Sequence, residues 1–283
     1  FGQRTRSGSR PDRWPGPGRL RLIPARGRDM KRLATAAAAV GLVAALGVLA
    51  GPVAEHAGSS ASANGVAAGP AAGAAPPGAA RQSNRAALRM PAWIHRHFIP
   101  FGAKRKHQMA RYSLRHYGVR SWRLRNPRQI VEHVAVGNSV AGVYRTFAAN
   151  RPDPEFHELP NVCAHFVVSG RGRVVQLVPL GIRCRHTVGL NHVSFGIEHT
   201  GFTDGDVLGN PRQMRASIRL TKWLRCRYGI GIRDVIGHNE SLGSRFHREL
   251  VPAMKNQTHG DFRHASMRRY RKALHDAGRC PRA

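Results

Sequence analysis

"VSFGIEHTG", residues 193–201, reads as a buried strand that ends in two ionisable side chains. Its apolar residues and two glycines predict a short core strand that runs into a turn. Glu198 and His199 stand side by side at the end of that strand. A carboxylate that closes an apolar strand costs free energy unless it is paired, solvated or used in chemistry. The stretch therefore predicts a functional Glu198, whereas His199 should point to the opposite face of the strand and be structural.

The segments around this strand predict an α/β fold. Apolar periodicity and turn residues indicate a strand in "QIVEHVAV" (129–136), a helix in "SVAGVYRTFAAN" (139–150), and a hairpin in "CAHFVVSGRGRVVQLVPL" (163–180). A long helix, a short strand and a closing helix follow in 210–230, 234–240 and 261–278, with Asp261 as a possible cap of the last. This order predicts a single α/β domain with a central mixed β-sheet flanked by helices.

Histidines follow two other predicted strands at the point where each strand ends. "IVEH" ends at His133 and "VIGH" ends at His238, as "GIEH" ends at Glu198 and His199. Functional groups of open α/β sheets gather where strands end and loops begin. Neutral imidazoles with an adjacent carboxylate are the usual components of a catalytic zinc site. A lone histidine at a strand end is more often a satisfied polar residue, so the hypothesis depends on these strands being neighbours.

Composition divides the chain into five parts. A basic start and an uncharged apolar run predict a signal peptide at 30–57, with an uncleaved membrane anchor as the alternative. Residues 1–29 would precede that signal peptide and have no place in a secreted protein, so we expect that they are not part of the native one. Residues 58–90 are rich in Ala, Gly, Ser and Pro and predict a disordered linker. A helical extension is predicted at 91–127, and the catalytic domain at 128–283.

The chain is strongly basic, with 46 Lys and Arg residues against 15 Asp and Glu and a formal net charge of +31. So large an excess predicts a polyanionic neighbour: nucleic acid, an anionic membrane or an anionic polymer of a cell wall. The sequence has no Gly-rich phosphate loop, no Cys–His finger spacing and no recognition-helix signal. We therefore expect no nucleic acid partner, and no stable membrane insertion once the signal peptide is removed.

Four cysteines, Cys163, Cys184, Cys226 and Cys280, allow three disulfide pairings. No two of them have the CxxC spacing of a cysteine zinc site. Export favours disulfides over reduced thiols, and we favour the sequence-local pairs Cys163–Cys184 and Cys226–Cys280.

Taken together, the ordered motifs between about 128 and 272 resemble the zinc-dependent N-acetylmuramoyl-L-alanine amidases. This is the amidase-2 group, which shares its fold with peptidoglycan recognition proteins. "QIVEHVAVGNSVAGVYRTF" is similar to the family's first-ligand strand and the helix after it, and "SFGIEHTG" to its "GIE-x-x-G" strand. "VIGHNE" is similar to its "GH" segment, and "QTHGDF" to the segment where a third ligand follows a Thr.

The resemblance implies a Zn²⁺ ion held by His133, His238 and His259, with Glu198 as the catalytic carboxylate that accepts and returns a proton. His259 stands where relatives carry Asp or Cys. His247 is an alternative third ligand, because its spacing from His238 is closer to the usual one, and Asp261 is a weaker candidate.

Three further residues are predicted to bind substrate: His186, His165 and Gln257. Many relatives place a Lys at the position of Gln257 to stabilise the oxyanion. Gln can donate a hydrogen bond there but brings no charge, and Lys255 or His247 are alternatives for that role.

The resemblance thus implies a secreted, monomeric enzyme that uses zinc-activated water to cleave the amide bond between N-acetylmuramic acid and L-Ala of the stem peptide. Its expected partners are peptidoglycan and the anionic polymers of the cell wall, and its expected location is extracellular. The alternative is a non-catalytic peptidoglycan-binding protein of the same fold, although such relatives commonly lack a metal ligand.

Overall fold

A mixed six-stranded sheet forms the centre of the structure, a computed structural model that describes residues 89–280. The strands are β1 Ile94–Arg96, β2 Gln129–Val134, β3 Phe166–Val168, β4 Val174–Gln176, β5 Ser194–His199 and β6 Val235–Gly237. Their order across the sheet is β1-β4-β3-β5-β2-β6. Neighbouring strands are parallel except for the β3–β4 hairpin. The predicted α/β fold with a central mixed sheet is confirmed.

Five α-helices pack on this sheet within the described residues: α1 Ala103–Tyr117, α2 Val140–Ala148, α3 Asp204–Leu208, α4 Pro211–Tyr228 and α5 His264–Asp276. Helix α4 begins and ends as its sequence predicts. The side chain of Asn210 accepts hydrogen bonds from the first N–H groups, Pro211 takes the first helical position, and Gly229 ends the helix with a left-handed φ of 63°. Three short 3₁₀ turns, Ile232–Asp234, His238–Gly243 and Pro252–Met254, connect the later elements.

Both faces of the sheet are buried, because successive side chains of a strand point in opposite directions. In β3, Phe166 and Val168 pack in the larger apolar cluster with α4 and α5, whereas Val167 packs in a second cluster with α2. Val167 is aligned with Glu198 in the sheet. The alternation therefore directs Glu198 to the α2 face and its neighbour His199 to the α4–α5 face.

The segment from residue 91 to 127 contributes a strand as well as a helix. The sequence predicts a helical extension there; the structure contains the helix α1, and β1 forms an edge of the sheet beside β4. The buried guanidinium of Arg105 in α1 donates hydrogen bonds to the carbonyl oxygens of Phe147 and Asn161 at 2.7 and 3.1 Å. These contacts hold α1 against α2 and the loop around Asn161.

Two disulfides link Cys163 to Cys184 and Cys226 to Cys280, which confirms the sequence-local pairing. Within residues 89–280 no helix combines the length and the apolarity that crossing a bilayer requires. The predictions for residues 1–29, for the signal peptide at 30–57 and for almost all of the 58–90 linker lie outside the described residues.

Candidate metal centre and catalytic cleft

Three predicted site residues lie side by side at the carboxyl ends of neighbouring parallel strands. His133 of β2 is aligned with Glu198 of β5, and Glu132 is aligned with Gly237 of β6. His238 follows Gly237 directly, at the level of His133. The order β5-β2-β6 therefore places a carboxylate and two imidazoles in one row across the sheet edge, as the strand-end pattern predicts.

A loop from the other end of the chain adds Asp261 to this row. The backbone N–H of Val134 donates to the Asp261 carboxylate at 3.1 Å, and the N–H of Asn239 donates to the Asp261 carbonyl oxygen at 3.0 Å. The prediction that Asp261 caps the closing helix is wrong: Arg263 is the residue before α5, and its side chain makes no cap hydrogen bond. The carboxylate of Asp261 instead faces the histidines.

His133, His238 and Asp261 form a group that could hold a metal ion, with one ligand atom of each residue within 4.8 Å of the others. The Nδ1 atoms of the two histidines each lie 3.5 Å from a different carboxylate oxygen of Asp261. Both histidines are buried, and the Nε2 atom of His238 has no hydrogen-bond partner among the residues that the structure describes. A buried polar atom without a partner calls for an explanation, and two imidazoles with a carboxylate are a donor set that suits Zn²⁺.

The local electrostatics favour a cation at this position. Burial and the nearby His133 hold the pKa of His238 well below its usual range, so its imidazole is neutral. Burial alone would raise the pKa of Asp261, but its contact with His133 and the charges of both histidines lower that pKa, so Asp261 is ionised. Burial lowers the pKa of His133, but Asp261 and Glu198 outweigh it and raise that pKa, since they attract positive charge.

His259 and His247 are not in this group. The ring of His259 is half exposed; it stacks on His238 with centroids 4.5 Å apart, and its Nε2 atom lies 3.2 Å from the carboxylate of Glu155. His247 packs its ring against Gly189. The prediction of His259 as third ligand thus differs from the group that the structure assembles, because the chain turns between His259 and Asp261 and brings the later residue to the histidines.

The predicted substrate-binding residues have three different environments. Gln257 is half-buried and donates to Glu155 at 3.2 Å, beside the ring of His259. His186, like Gln257 and His259, lines a small cavity of about 60 Å³. The Nδ1 atom of His186 lies 3.2 Å from Nε2 of His133. His165 is fully buried: one ring nitrogen donates to the Ile182 carbonyl at 2.9 Å and the other accepts from the Gly196 N–H. A bound substrate therefore has no access to the His165 side chain.

Glu198 lines an open cleft of about 360 Å³ between the β2–α2 loop and helix α2. Burial raises the pKa of this carboxylate to about 7, although the charge of His133 opposes the shift. Val136 lines the same cleft with 72% of its surface exposed and a φ of 42°. A β-branched residue in the left-handed region is strained, and such strain clusters at functional sites. No feature of the sequence indicates that Val136 adopts this conformation.

Beneath His133, on the α4–α5 face, lies a buried polar network of Glu132, His199, Ser217, Thr221 and Tyr270. Burial lowers the pKa of His199 to about 4, so its ring is neutral. Its Nδ1–H donates to the carbonyl oxygen of His133 at 3.0 Å, and its Nε2 accepts from the Ser217 hydroxyl at 2.7 Å. His199 therefore supports the backbone of the metal-centre histidine, on the face that strand alternation predicts for it.

Asp204 and Gly237 fix the loop that carries Asp261. The carboxylate of Asp204 accepts the N–H groups of Phe262 and Arg263 at 2.7 and 2.8 Å. A Cβ atom on Gly237 would lie 1.8 Å from the carbonyl oxygen of Phe262, so the loop passes directly over this glycine. Sequence reasoning missed both roles, because each depends on a contact between segments far apart in the chain.

A family comparison agrees with this geometry. Residues 123–256 match the Amidase_2 family of N-acetylmuramoyl-L-alanine amidases. The matched segment, which is just under half of the chain, is similar in sequence to the amidase-2 family. The resemblance seen in the sequence motifs is thereby confirmed, as is the expectation of an amidase-type enzyme family. The match contains His133, Glu198 and His238 but ends before His259 and Asp261.

Solved amidases are similar to this chain at low sequence identity. The N-acetylmuramoyl-L-alanine amidase LysC from Clostridium intestinale URNW is 24% identical, over 41% of this chain and 72% of that one, with a TM-score of 0.34. A selenomethionine derivative of AmpD is 20% identical, over 64% and 96%, with a TM-score of 0.40. AmiD from E. coli, in complex with an anhydro-N-acetylmuramic acid peptide, is 20% identical, over 41% and 49%, with a TM-score of 0.32. The sequence matches no curated protein.

The first prediction tests the loop over Gly237. Gly237→Ala should weaken Zn²⁺ binding by about 10- to 100-fold, because the added methyl group must displace the Phe262 backbone and with it Asp261. Isothermal titration of the metal-free protein with Zn²⁺ measures the effect. Gly260→Ala is the matched control: it adds the same methyl group beside Asp261, where no atom lies within 4 Å. Equal affinities for both variants would contradict the role of the close approach.

Proposed function

We propose that this protein is a secreted peptidoglycan hydrolase that cleaves the amide bond between N-acetylmuramic acid and L-Ala of the stem peptide. The observation that carries the proposal is the row of Glu198, His133 and His238 at the end of the sheet, closed by Asp261. Glu198 is not one of the three candidate ligands. Its carboxylate stands next to them and lines an open cleft. The match of residues 123–256 to the amidase-2 family supports the choice of bond.

In this proposal His133, His238 and Asp261 hold a Zn²⁺ ion. The third ligand is Asp261 in place of His259. The carboxylate of Asp261 lies within 3.5 Å of both imidazoles, whereas the Nε2 atom of His259 faces Glu155. When bound, zinc would supply a Lewis acid that polarises an amide carbonyl and acidifies water. The two disulfides fit an oxidising compartment outside the cytoplasm.

Glu198 is the general base and then the general acid of the proposed reaction. Its carboxylate is buried beside His133 yet lines the cleft, so it can take a proton from an attacking water and return it to the leaving amine. His199 and its hydrogen-bond network hold the β2 backbone at His133 from behind. Peptidoglycan is the substrate, and anionic polymers of the wall are expected partners because the chain is strongly basic.

The decisive experiment is mass spectrometry of the products released from purified peptidoglycan. Zinc-loaded protein should release free stem peptides with an L-Ala amino terminus, and chelation should abolish the release until zinc is restored. Glu198→Gln should keep its zinc and lose activity by about 100-fold or more, because Gln has the same shape but cannot accept the proton.

Metal content and wall binding, measured on the same samples, separate the proposed enzyme from a non-catalytic binding protein. A wild-type protein that binds zinc and peptidoglycan but releases no stem peptide would support the binding alternative. If Glu198→Gln kept near-normal turnover, Glu198 would have no part in the proton transfers.

A second prediction concerns the third ligand. Asp261→Ala should weaken Zn²⁺ binding by about 100-fold or more, because it removes the only anionic member of the group. His259→Ala should change the affinity by less than about threefold, since the half-exposed ring lies outside the group. Titration of each metal-free variant with zinc gives both numbers. The reverse order of the two effects would restore His259 as the ligand.

A third prediction concerns the strained residue in the cleft. Val136→Gly should raise the free energy of unfolding by about 1 kcal/mol, because glycine adopts a positive φ without strain. It should also lower kcat/KM by about fivefold, because the exposed side chain no longer packs on substrate. Thermal unfolding and kinetics on a soluble muropeptide measure the two effects.

Asn126→Gly is the control for that variant. Asn126 also has a positive φ, of 50°, but does not line the Glu198 cleft, and Asn tolerates this conformation better than Val. It should change neither stability nor kinetics appreciably. Unchanged kcat/KM in Val136→Gly would remove Val136 from substrate binding.

A further inference from the structure

The part of the described chain that precedes β2 is basic throughout. Residues 89–128 contain eleven Lys and Arg residues and no Asp or Glu, and no acidic residue occurs between 56 and 131. Most of these cations are exposed, Arg105 being the buried exception. Nine of the eleven come from α1 and from the loop 118–128 that connects it to β2, and the other two are Arg89 and Arg96.

Along α1 four exposed basic residues form one stripe on the solvent side of the helix. Lys104, His107, Arg111 and Arg115 are all exposed and are spaced by three or four residues, which places them on one face over about 16 Å. Like charges at this spacing destabilise a helix unless a counter-charge compensates them. Within residues 89–280 only Arg115 of these four has an acidic partner, Glu158, and the same carboxylate contacts Arg185 at 3.4 Å.

The stripe borders a cleft of about 810 Å³, which we call the outer cleft. One wall is formed by His107 and by the cations Arg111, Arg115 and Arg120, and the opposite wall by the loop that carries Phe156. Beside it, Lys106 and Arg123 lie over the ring of Trp122, at 4.8 and 4.2 Å from its centroid. The outer cleft therefore offers a row of cations with aromatic side chains among them.

This outer cleft adjoins the metal centre. Tyr112 and Phe156 line both the outer cleft and the small inner cavity that contains His186, His238 and His259. A chain molecule that lies along α1 would therefore run beside the entrance to the proposed zinc site.

We propose that α1 and the loop 118–128 form a docking surface for a phosphodiester-linked anionic polymer of the cell wall, which holds the enzyme on its substrate. This rests on the proposed function for the choice of a wall polymer. A linear polyanion fits because the cations form a row rather than a pocket, and because among the described residues only Arg115 of the stripe has an acidic partner. Each phosphate that is neutralised releases counterions, so binding should weaken steeply with salt.

The test compares two triple variants of the full chain that lose the same charge. The first is Lys104→Gln with Arg111→Gln and Arg120→Gln, which removes exposed cations of the docking surface without an acidic partner. The control is Arg215→Gln with Arg268→Gln and Arg269→Gln, which removes three exposed cations from α4 and α5. Basic residues outside 89–280 are the same in both, so a difference reports the docking surface alone.

The probe is a soluble poly(glycerol phosphate), titrated at several salt concentrations. The first variant should bind at least about tenfold more weakly than wild type, with a log–log salt slope reduced by about two to three, whereas the control should stay within about twofold. Equal losses in both variants would overturn the proposal, because binding would then follow net charge and not this surface.

Sedimentation with cell walls identifies the natural ligand. Wild type should be retained on intact walls and released from walls whose phosphodiester polymer has been extracted, and the first variant should bind both preparations equally weakly. Equal wild-type retention on both would overturn the proposal. Hydrolysis of a soluble muropeptide by the first variant should match wild type. If wild type itself has no hydrolase activity, the proposed function fails, whereas the polymer binding is still decided by the titration.

Discussion

The in-register parallel pairing of β5, β2 and β6 is the constraint on which the functional part of the structure depends. It brings Glu198, His133 and His238 to one level at the edge of the sheet, although they are far apart in the chain. A shift of one residue in any of these strands would move its functional side chain to the opposite face. Both faces are buried against apolar clusters, so the hydrophobic alternation that stabilises the fold also fixes the positions of the chemistry.

The ionisable groups on the two faces of the sheet differ in what they can contact. On the α2 side, Glu198 and Asp261 surround two imidazoles, and the charges are available to a cation and to a ligand in the cleft. On the α4–α5 side, burial raises the pKa of Glu132 to about 8, so this carboxyl is mainly protonated at neutral pH, and Thr221 donates to it. Neutral buried groups with hydrogen-bond partners give a rigid support at a smaller desolvation cost than charged ones.

The sequence predicts the strands and three of the four side chains of the candidate site because these are local features. His133, Glu198 and His238 each end an apolar run, and a pattern of that kind is visible in a few residues. The fourth side chain was harder to predict, because "THGDF" offers His259 and Asp261 two positions apart. The choice between them depends on the path of a loop held by the distant Asp204 carboxylate and by the absence of a side chain at Gly237. Neither contact leaves a signal in the local sequence.

Net charge is a similar case, since composition gives its size but not its distribution. The value of +31 indicates a polyanionic neighbour, yet it does not separate a diffuse field from a defined surface. The fold provides that distinction. Helical spacing places Lys104, Arg111 and Arg115 of α1 in one stripe, and α1 packs so that Tyr112 lines both the outer cleft and the cavity beside His238. Because an exposed cation contributes little unless several act together, position and not number decides whether such charges can hold a polymer next to the candidate metal centre.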